Sequence, residues 1–177
     1  MVNVKLLDEV EELARENSEK YGSCSQSTFW AIHKTFGYKD EAMSKAVVVL
    51  SGGVCGMCSV CGALTGSALG LGLKYGRDVN LLEGKTREEA IEIEHVAVET
   101  AQRLAFWFER EFGSIICYEL RKSHMGTFME HFYGPSWHRE VYEELGTPEF
   151  CRTLISKTAR RAAAIMQDPN LSILEKV

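Results

Sequence analysis

Apolar residues recur along this chain at intervals of three and four, the spacing of one helix face, and nowhere alternate over the length of a strand. Over Val4–Tyr21 the stripe is Leu6, Val10, Leu13 and Ala14 among glutamates, and Gly22 stands where a left-handed residue ends a helix. Ser23 opens a second helix, with Gln26 placed to complete a capping box and Phe29, Ile32 and Phe36 on its apolar face up to Gly37. Asp40 caps a third, EAMSKAVVVL, which stops at Ser51-Gly52-Gly53. A helix of small residues is expected from Cys61 to Tyr75, with Gly62, Gly66 and Gly70 on one face, and Arg77–Lys85 reads as a polar connection. Thr86 caps the longest helix, which runs to Phe112 and closes at Gly113, with Ala90, Ile93, Ala97, Ala101, Leu104 and Phe108 facing inward. Ser114–Lys122 is a short helix, and Thr147, backed by Pro148 and Glu149, opens a last one to about Gln167, stopped by Asp168-Pro169. The pattern predicts a single all-α domain over 1–177, a bundle of about five to seven helices around a central small-residue helix (61–75). An irregular segment rich in aromatics and histidine spans 123–146, where Gly126, Gly134 and Pro135 break helical continuity.

Composition removes several functional classes. A formal charge of −5 and a pI near 5.6 offer no basic surface for nucleic acid. The N-terminal stretch is amphipathic and acidic rather than basic and then apolar, so no signal peptide is expected. Val60–Leu73, the most apolar run, is too short and too rich in glycine to span a bilayer. A cytoplasmic protein is expected, and in a reducing compartment six cysteines point to metal binding or redox chemistry rather than structural disulfides.

Three of those cysteines, Cys55, Cys58 and Cys61, stand at C-x2-C-x2-C spacing in the loop that feeds the small-residue helix. One loop at that spacing wraps an iron–sulfur cluster, with a fourth thiolate arriving from elsewhere; no x3-C-P follows Cys61, so the two-cluster ferredoxin run is absent. Zinc accepts four thiolates equally well, and a dithiol such as Cys55/Cys58 is able to cycle as a disulfide. Cys24, Cys61, Cys117 and Cys151 each fall at or near a predicted helix start, where unpaired N–H groups and the helix dipole favour an anion. That placement suits a reactive thiolate or a net-negative cluster. The haem signature C-x-x-C-H is missing, and Ser51-Gly52-Gly53 lacks the lysine of a P-loop and the spacing of a dinucleotide fingerprint. His124, His131 and His138 recur every seven residues, but the glycine and proline breaks favour surface or interface histidines over a ligand face. His33 is expected at the polar edge of its helix and His95 among glutamates. Trp30, Phe106, Trp107 and Phe108 are expected in the core or at a homodimer contact.

With these residues in place the chain resembles a known family. The turn Gly22-Ser23-Cys24-Ser25-Gln26, the segment Cys61-Gly62-Ala63-Leu64-Thr65-Gly66 followed by LGLKYG, the run Glu111–Leu120 around Cys117, and the late Cys151 are similar to the redox-active proteins named for the pattern C…GCAxxG…C…C. The likeness covers most of Tyr21–Met166. It implies that Cys24, Cys61, Cys117 and Cys151 are the family's four cysteines, that the activity is redox, and that the source is an anaerobic prokaryote. Cys55 and Cys58 are additions to that pattern, as is the length of the segment over 123–146.

The expectation is an electron-transfer or redox protein whose cysteines hold an iron–sulfur cluster and which meets an unspecified redox partner protein. A metal-free thiol–disulfide oxidoreductase or redox sensor is the alternative, and a zinc-stabilised binding module acting through 123–146 is the third reading. Cys24, Cys61, Cys117 and Cys151 are the redox-active candidates if no metal is bound. Cys55, Cys58 and Cys61 are the cofactor-binding candidates, and all six cysteines are candidate metal ligands. The four are expected to meet at one end of the bundle with Cys55 and Cys58 overhanging them. Tyr118, His124 and Tyr133 are residues whose part in such a site the sequence alone leaves open.

Overall fold

Short polar side chains set most of the helix starts. The structure is a computed structural model that describes residues 2–125, 147–172 and 174. Helix α1 (Val4–Tyr21) begins where the Asn3 side chain accepts the Leu6 N–H and ends at Gly22 with φ 70°. Helix α2 (Cys24–Thr35) is capped by Ser23, whose hydroxyl accepts the Gln26 N–H. The expected return bond of a capping box is absent there, because the Gln26 amide instead donates to the Ser44 carbonyl at 2.9 Å and ties α2 to the helix that follows it. Helix α3 (Glu41–Ala46) stops short of Leu50, and the three consecutive valines after it tighten into a 3-10 turn over Val47–Leu50. β-Branched side chains crowd the preceding helical turn, which fits the early end of α3.

Helix α4 (Gly62–Tyr75) is the small-residue helix, and α5 (Arg87–Phe112) has both bonds of a capping box between Thr86 and Glu89. The connection between them, expected to be only polar coil, contains a 3-10 turn at Val79–Leu82. Helix α6 (Cys117–Met125) starts later than the expected Ser114 cap: the Ser114 hydroxyl accepts the Ile116 N–H and shapes a turn, and Ile116 pairs with Val60 in an isolated antiparallel bridge. The last helix, α7 (Thr147–Gln167), lies along α1, α2 and α4. The described residues therefore form the expected all-α bundle with α4 at its centre, touching α2, α5 and α7. None of their helices is long and apolar enough to cross a membrane. Residues 126–146, with His131, Tyr133 and His138, lie outside the described residues, and Ser123 and His124 belong to α6 rather than to an irregular segment.

The centre is tight because α4 has little bulk. A Cβ on Gly66 would overlap the Ser25 carbonyl and the Thr28 hydroxyl of α2, and one on Gly70 would stand 3.0 Å from Ile32. Leu7, Phe29, Ala63, Leu104, Phe108 and Ile165 are fully buried around this contact. On α5 the expected inward face is covered only in its C-terminal half: Leu104 and Phe108 are buried, whereas Ile93 is 37% exposed; Phe106, expected in the core or at a dimer contact, is 57% exposed. His33 also departs from expectation. It is buried rather than at a polar edge, since the turn after α2 folds over it and its Nε2 accepts the Asp40 N–H at 2.8 Å, with Trp30 stacked at 5.6 Å.

Substitution at two glycines of α4 separates close packing from helix propensity. Gly66→Ala is expected to destabilise the fold by roughly 1–3 kcal/mol, because the new methyl group overlaps backbone that has no room to retreat. Gly72→Ala, where a Cβ meets nothing within 4 Å, is expected to be neutral or to stabilise by up to about 1 kcal/mol. Urea denaturation of both variants beside the parent measures the contrast.

Candidate redox site

The contact between α2 and α4 brings their N-termini together, and with them the first cysteines. Cys24 is the first residue of α2, Cys61 is the N-cap of α4, Cys117 is the first residue of α6, and Cys151 lies within the first five residues of α7. All four line one cavity of about 440 Å³, together with Ser23, Ser51, Leu120, Arg121 and Arg152. Gly62 keeps the approach close: a Cβ there would collide with the Cys24 Sγ. One wall is fixed by hydroxyls, with Ser51 bonded to Ser23 at 2.7 Å and to Ser25 at 2.8 Å, and Ser25 donating to the Val47 carbonyl.

The loop between Ser51 and Val60 has a less common geometry. Gly52, Gly53, Val54, Cys55 and Gly56 all have positive φ, and Cys58 joins them at 55°. Left-handed backbone costs a non-glycine residue about 1–2 kcal/mol, so Val54, Cys55 and Cys58 are held there by what surrounds them. Cys58 and Ser59 donate to the carbonyls of Gly52 and Gly53 at 2.9 Å, which coils the loop on itself. Cys117 N–H donates to Ser59 O at 2.6 Å, Tyr118 N–H to Cys58 O at 3.0 Å, and Cys61 N–H to Ile115 O at 2.8 Å, which pins it on the start of α6. Gly53 makes room for this docking, since a Cβ there would stand 2.8 Å from the Cys117 Cβ. The result is Cys58 seated beside Cys117 and Arg121.

These thiols differ sharply in acidity. A hydrogen bond from the Cys117 thiol more than offsets the burial of Cys58, and the Arg121 guanidinium, 3.7 Å away, acts in the same direction. The Cys58 thiol is thereby lowered to about 6. Cys117 moves far up, because its hydrogen bond to Cys58, its burial and its nearness to Cys61 all favour the thiol. Burial first and Cys24 second push Cys61 up to about 12, with the Ala63 and Leu64 N–H groups opposing. The same two causes raise Cys151 to about 11. The helix starts were expected to suit a reactive thiolate or a net-negative cluster. At Cys61 and Cys151 burial opposes the charged form, at Cys117 the hydrogen bond to Cys58 does so first and burial second, and the acidic thiol sits on the loop instead.

The structure thus gathers Cys24, Cys61, Cys117 and Cys151 around one cavity, as expected, and sets Cys58 against Cys117. It does not gather the C-x2-C-x2-C trio: Cys55 is exposed, Cys58 lies over α6, and Cys61 lines the cavity. Among the described residues no group of three or more His, Cys, Asp or Glu is arranged to hold a metal ion. His124 is exposed and stacks on Phe150 at 4.3 Å, and neither lines the cavity. Tyr118 is partly exposed and carries Lys122 over its ring. Arg121, 1% exposed, is the site residue that sequence reasoning passed over. Its signal was present, since a residue four positions after Cys117 shares its helix face.

The family described as "Putative redox-active protein (C_GCAxxG_C_C)" matches residues 22–165. No curated protein and no solved structure matches the chain.

The Cys58–Cys117 contact makes a prediction in pH. Alkylation of Cys58 by iodoacetamide, followed by peptide mass spectrometry, is expected to reach half its maximal rate near pH 6, because the thiolate persists down to its lowered pKa of about 6. In Cys117→Ala the hydrogen bond is gone, and the midpoint is expected to move up, toward the ordinary thiol range of about 8.5. An unchanged midpoint in that variant would assign the acidity to Arg121 alone.

Proposed function

The chain belongs to the redox-active protein family that carries the C_GCAxxG_C_C pattern, and from that premise we propose that it is a thiol–disulfide redox protein whose working pair is Cys58 and Cys117. The observation that carries this reading is the glycine loop bonded to the start of α6, which seats Cys58 beside Cys117 with the Arg121 guanidinium 3.7 Å from its sulfur, so that an acidic thiol stands next to the one that would resolve it. Thiol–disulfide exchange needs an attacking thiolate and a second sulfur within reach. In the forward direction Cys58 Sγ attacks one sulfur of a substrate disulfide RS–SR; the Cys58–SR bond forms, the S–S bond breaks, and RS⁻ leaves. Cys117 then passes its proton to the departing thiolate and attacks Cys58 Sγ, expelling the second RS⁻. One protein thiolate, one protein thiol and RS–SR become a protein disulfide, RS⁻ and RSH. Two electrons have moved to the substrate. Arg121 steadies Cys58 whenever it is the anion, and the sequence of bonds runs equally well in reverse to reduce the protein.

An iron–sulfur cluster is the second reading. It is favoured by Cys24, Cys61, Cys117 and Cys151 lining one cavity near helix starts, where backbone N–H groups suit a net-negative group. Those four thiols would hold it, and a cluster would supply one-electron transfer. The side chains as they stand do not form such a ligand set among the described residues, and no step above passes through iron or zinc.

One preparation distinguishes the readings. Anaerobically purified protein is analysed for iron, sulfide and zinc, then equilibrated in glutathione buffers of rising potential and its free thiols counted. A reversible Cys58–Cys117 disulfide is expected in the parent and in Cys55→Ser, and is lost in Cys58→Ser. In Cys117→Ser, glutathione is expected to remain bound at Cys58. Thiol counts that stay constant across all buffers would overturn the thiol reading, and stoichiometric iron and sulfide would replace it with the cluster.

A further inference from the structure

Three more thiols stand behind the working pair and take no part in it. Cys24, Cys61 and Cys151 line the cavity that Cys117 also lines, whereas Cys58 does not line it. Cys117 therefore has Cys58 on one side and the cavity thiols on the other. Within the cavity Cys24 and Cys61 are drawn together by backbone: the Cys24 Sγ lies against Gly62, the residue that follows Cys61, closely enough to exclude any side chain there. Cys61, like Cys58 and Cys117, is buried, and a sulfur of its own chain, that of Cys24, lies nearby.

We propose that Cys24 and Cys61 form a second, interior dithiol that is oxidised by exchange with the Cys58–Cys117 disulfide, Cys117 acting as the relay, so that one chain stores four electrons rather than two. The inference rests on the thiol reading given above. Cys61 attacks Cys117 Sγ, losing its proton to solvent; the Cys61–Cys117 bond forms and the Cys58–Cys117 bond breaks. Cys58 leaves as the thiolate that Arg121 stabilises, and a more acidic thiol leaves faster, which directs the attack to Cys117 rather than Cys58. Cys24 then attacks Cys61 Sγ and its proton passes to Cys117. The products are a Cys24–Cys61 disulfide, the Cys58 thiolate and the Cys117 thiol. The outer pair is again reduced and able to take electrons out to a second molecule of substrate disulfide.

Disulfide mapping over time tests this. Full-length protein is oxidised with excess glutathione disulfide, quenched by alkylation at intervals, and its bridges are located by peptide mass spectrometry. The expected course is Cys58–Cys117 first and Cys24–Cys61 second, with four thiols lost per chain. Cys61→Ser is expected to stop at two thiols with Cys58–Cys117 intact, and Cys24→Ser serves the same purpose if Cys61→Ser does not fold by circular dichroism. Cys58→Ser is expected to form Cys24–Cys61 at least tenfold more slowly. A parent that stops at Cys58–Cys117 overturns the interior dithiol and leaves the thiol reading standing, whereas no bridge at all overturns the thiol reading itself. Formation of Cys24–Cys61 at the parental rate in Cys58→Ser overturns the relay, and a Cys24–Cys151 bridge in its place overturns the assigned pair.

Discussion

Everything at the thiol end of this bundle depends on how closely two helices approach. Gly62, Gly66 and Gly70 present one bare stripe of α4 to α2, and at Gly62 and Gly66 the neighbouring atoms already occupy the space that a methyl group would need. Helices separated by larger side chains sit about 8–10 Å apart. The bare stripe brings these two within backbone contact, so that residues at their starts share one small volume. Cys24 and Cys61 are neighbours for that reason, though they lie far apart in sequence. The cost of glycine within a helix, about 1 kcal/mol each, is offset by what surrounds α4: buried side chains of α2, α5 and α7 hold it in place.

Two environments meet at this end, and they treat sulfur differently. Inside the cavity the low dielectric favours the uncharged thiol, and the field of the helix starts is too weak to reverse it at Cys61 or Cys151. On the loop a hydrogen-bond donor and a buried guanidinium act together, and charge is stabilised at Cys58. A single protein thus keeps a reactive sulfur and protected sulfurs a short distance apart. Left-handed backbone at Val54, Cys55 and Cys58 is what the loop must accept to make that separation, and bonds to the start of α6 hold it.

Local signals were legible in the sequence where local chemistry decided the outcome. Thr86 with Glu89, Gly113 after Phe112, and Gly22 after Tyr21 mark ends that the structure reproduces, because each is settled by a side chain or a φ angle within four residues. The four cysteines around the cavity were legible for the same reason, through their nearness to helix starts. What escaped was decided at a distance. Gln26 bonds Ser44 instead of closing its own cap, and His33 is buried by a turn that folds back over it. The C-x2-C-x2-C spacing suggested one wrapped site, but its three cysteines go to three places, because bonds from the loop to α6 set its course. Arg121 could be placed on the face of Cys117, yet its burial against Cys58 becomes visible only once that loop is docked.

The acidity of Cys58 has a consequence that can be put in terms of electrode potential. Lowering a thiol's pKa stabilises the reduced member of a dithiol–disulfide couple, since the anion exists only there; the disulfide carries no charge for Arg121 to meet. A couple whose reduced form is favoured in this way has a more positive reduction potential than the same two sulfurs would have with ordinary acidity. Cys61, kept neutral by burial, gains no such stabilisation. In the proposed exchange the disulfide therefore moves from loop to cavity electrochemically downhill, electrons leaving the interior sulfurs for the couple of more positive potential.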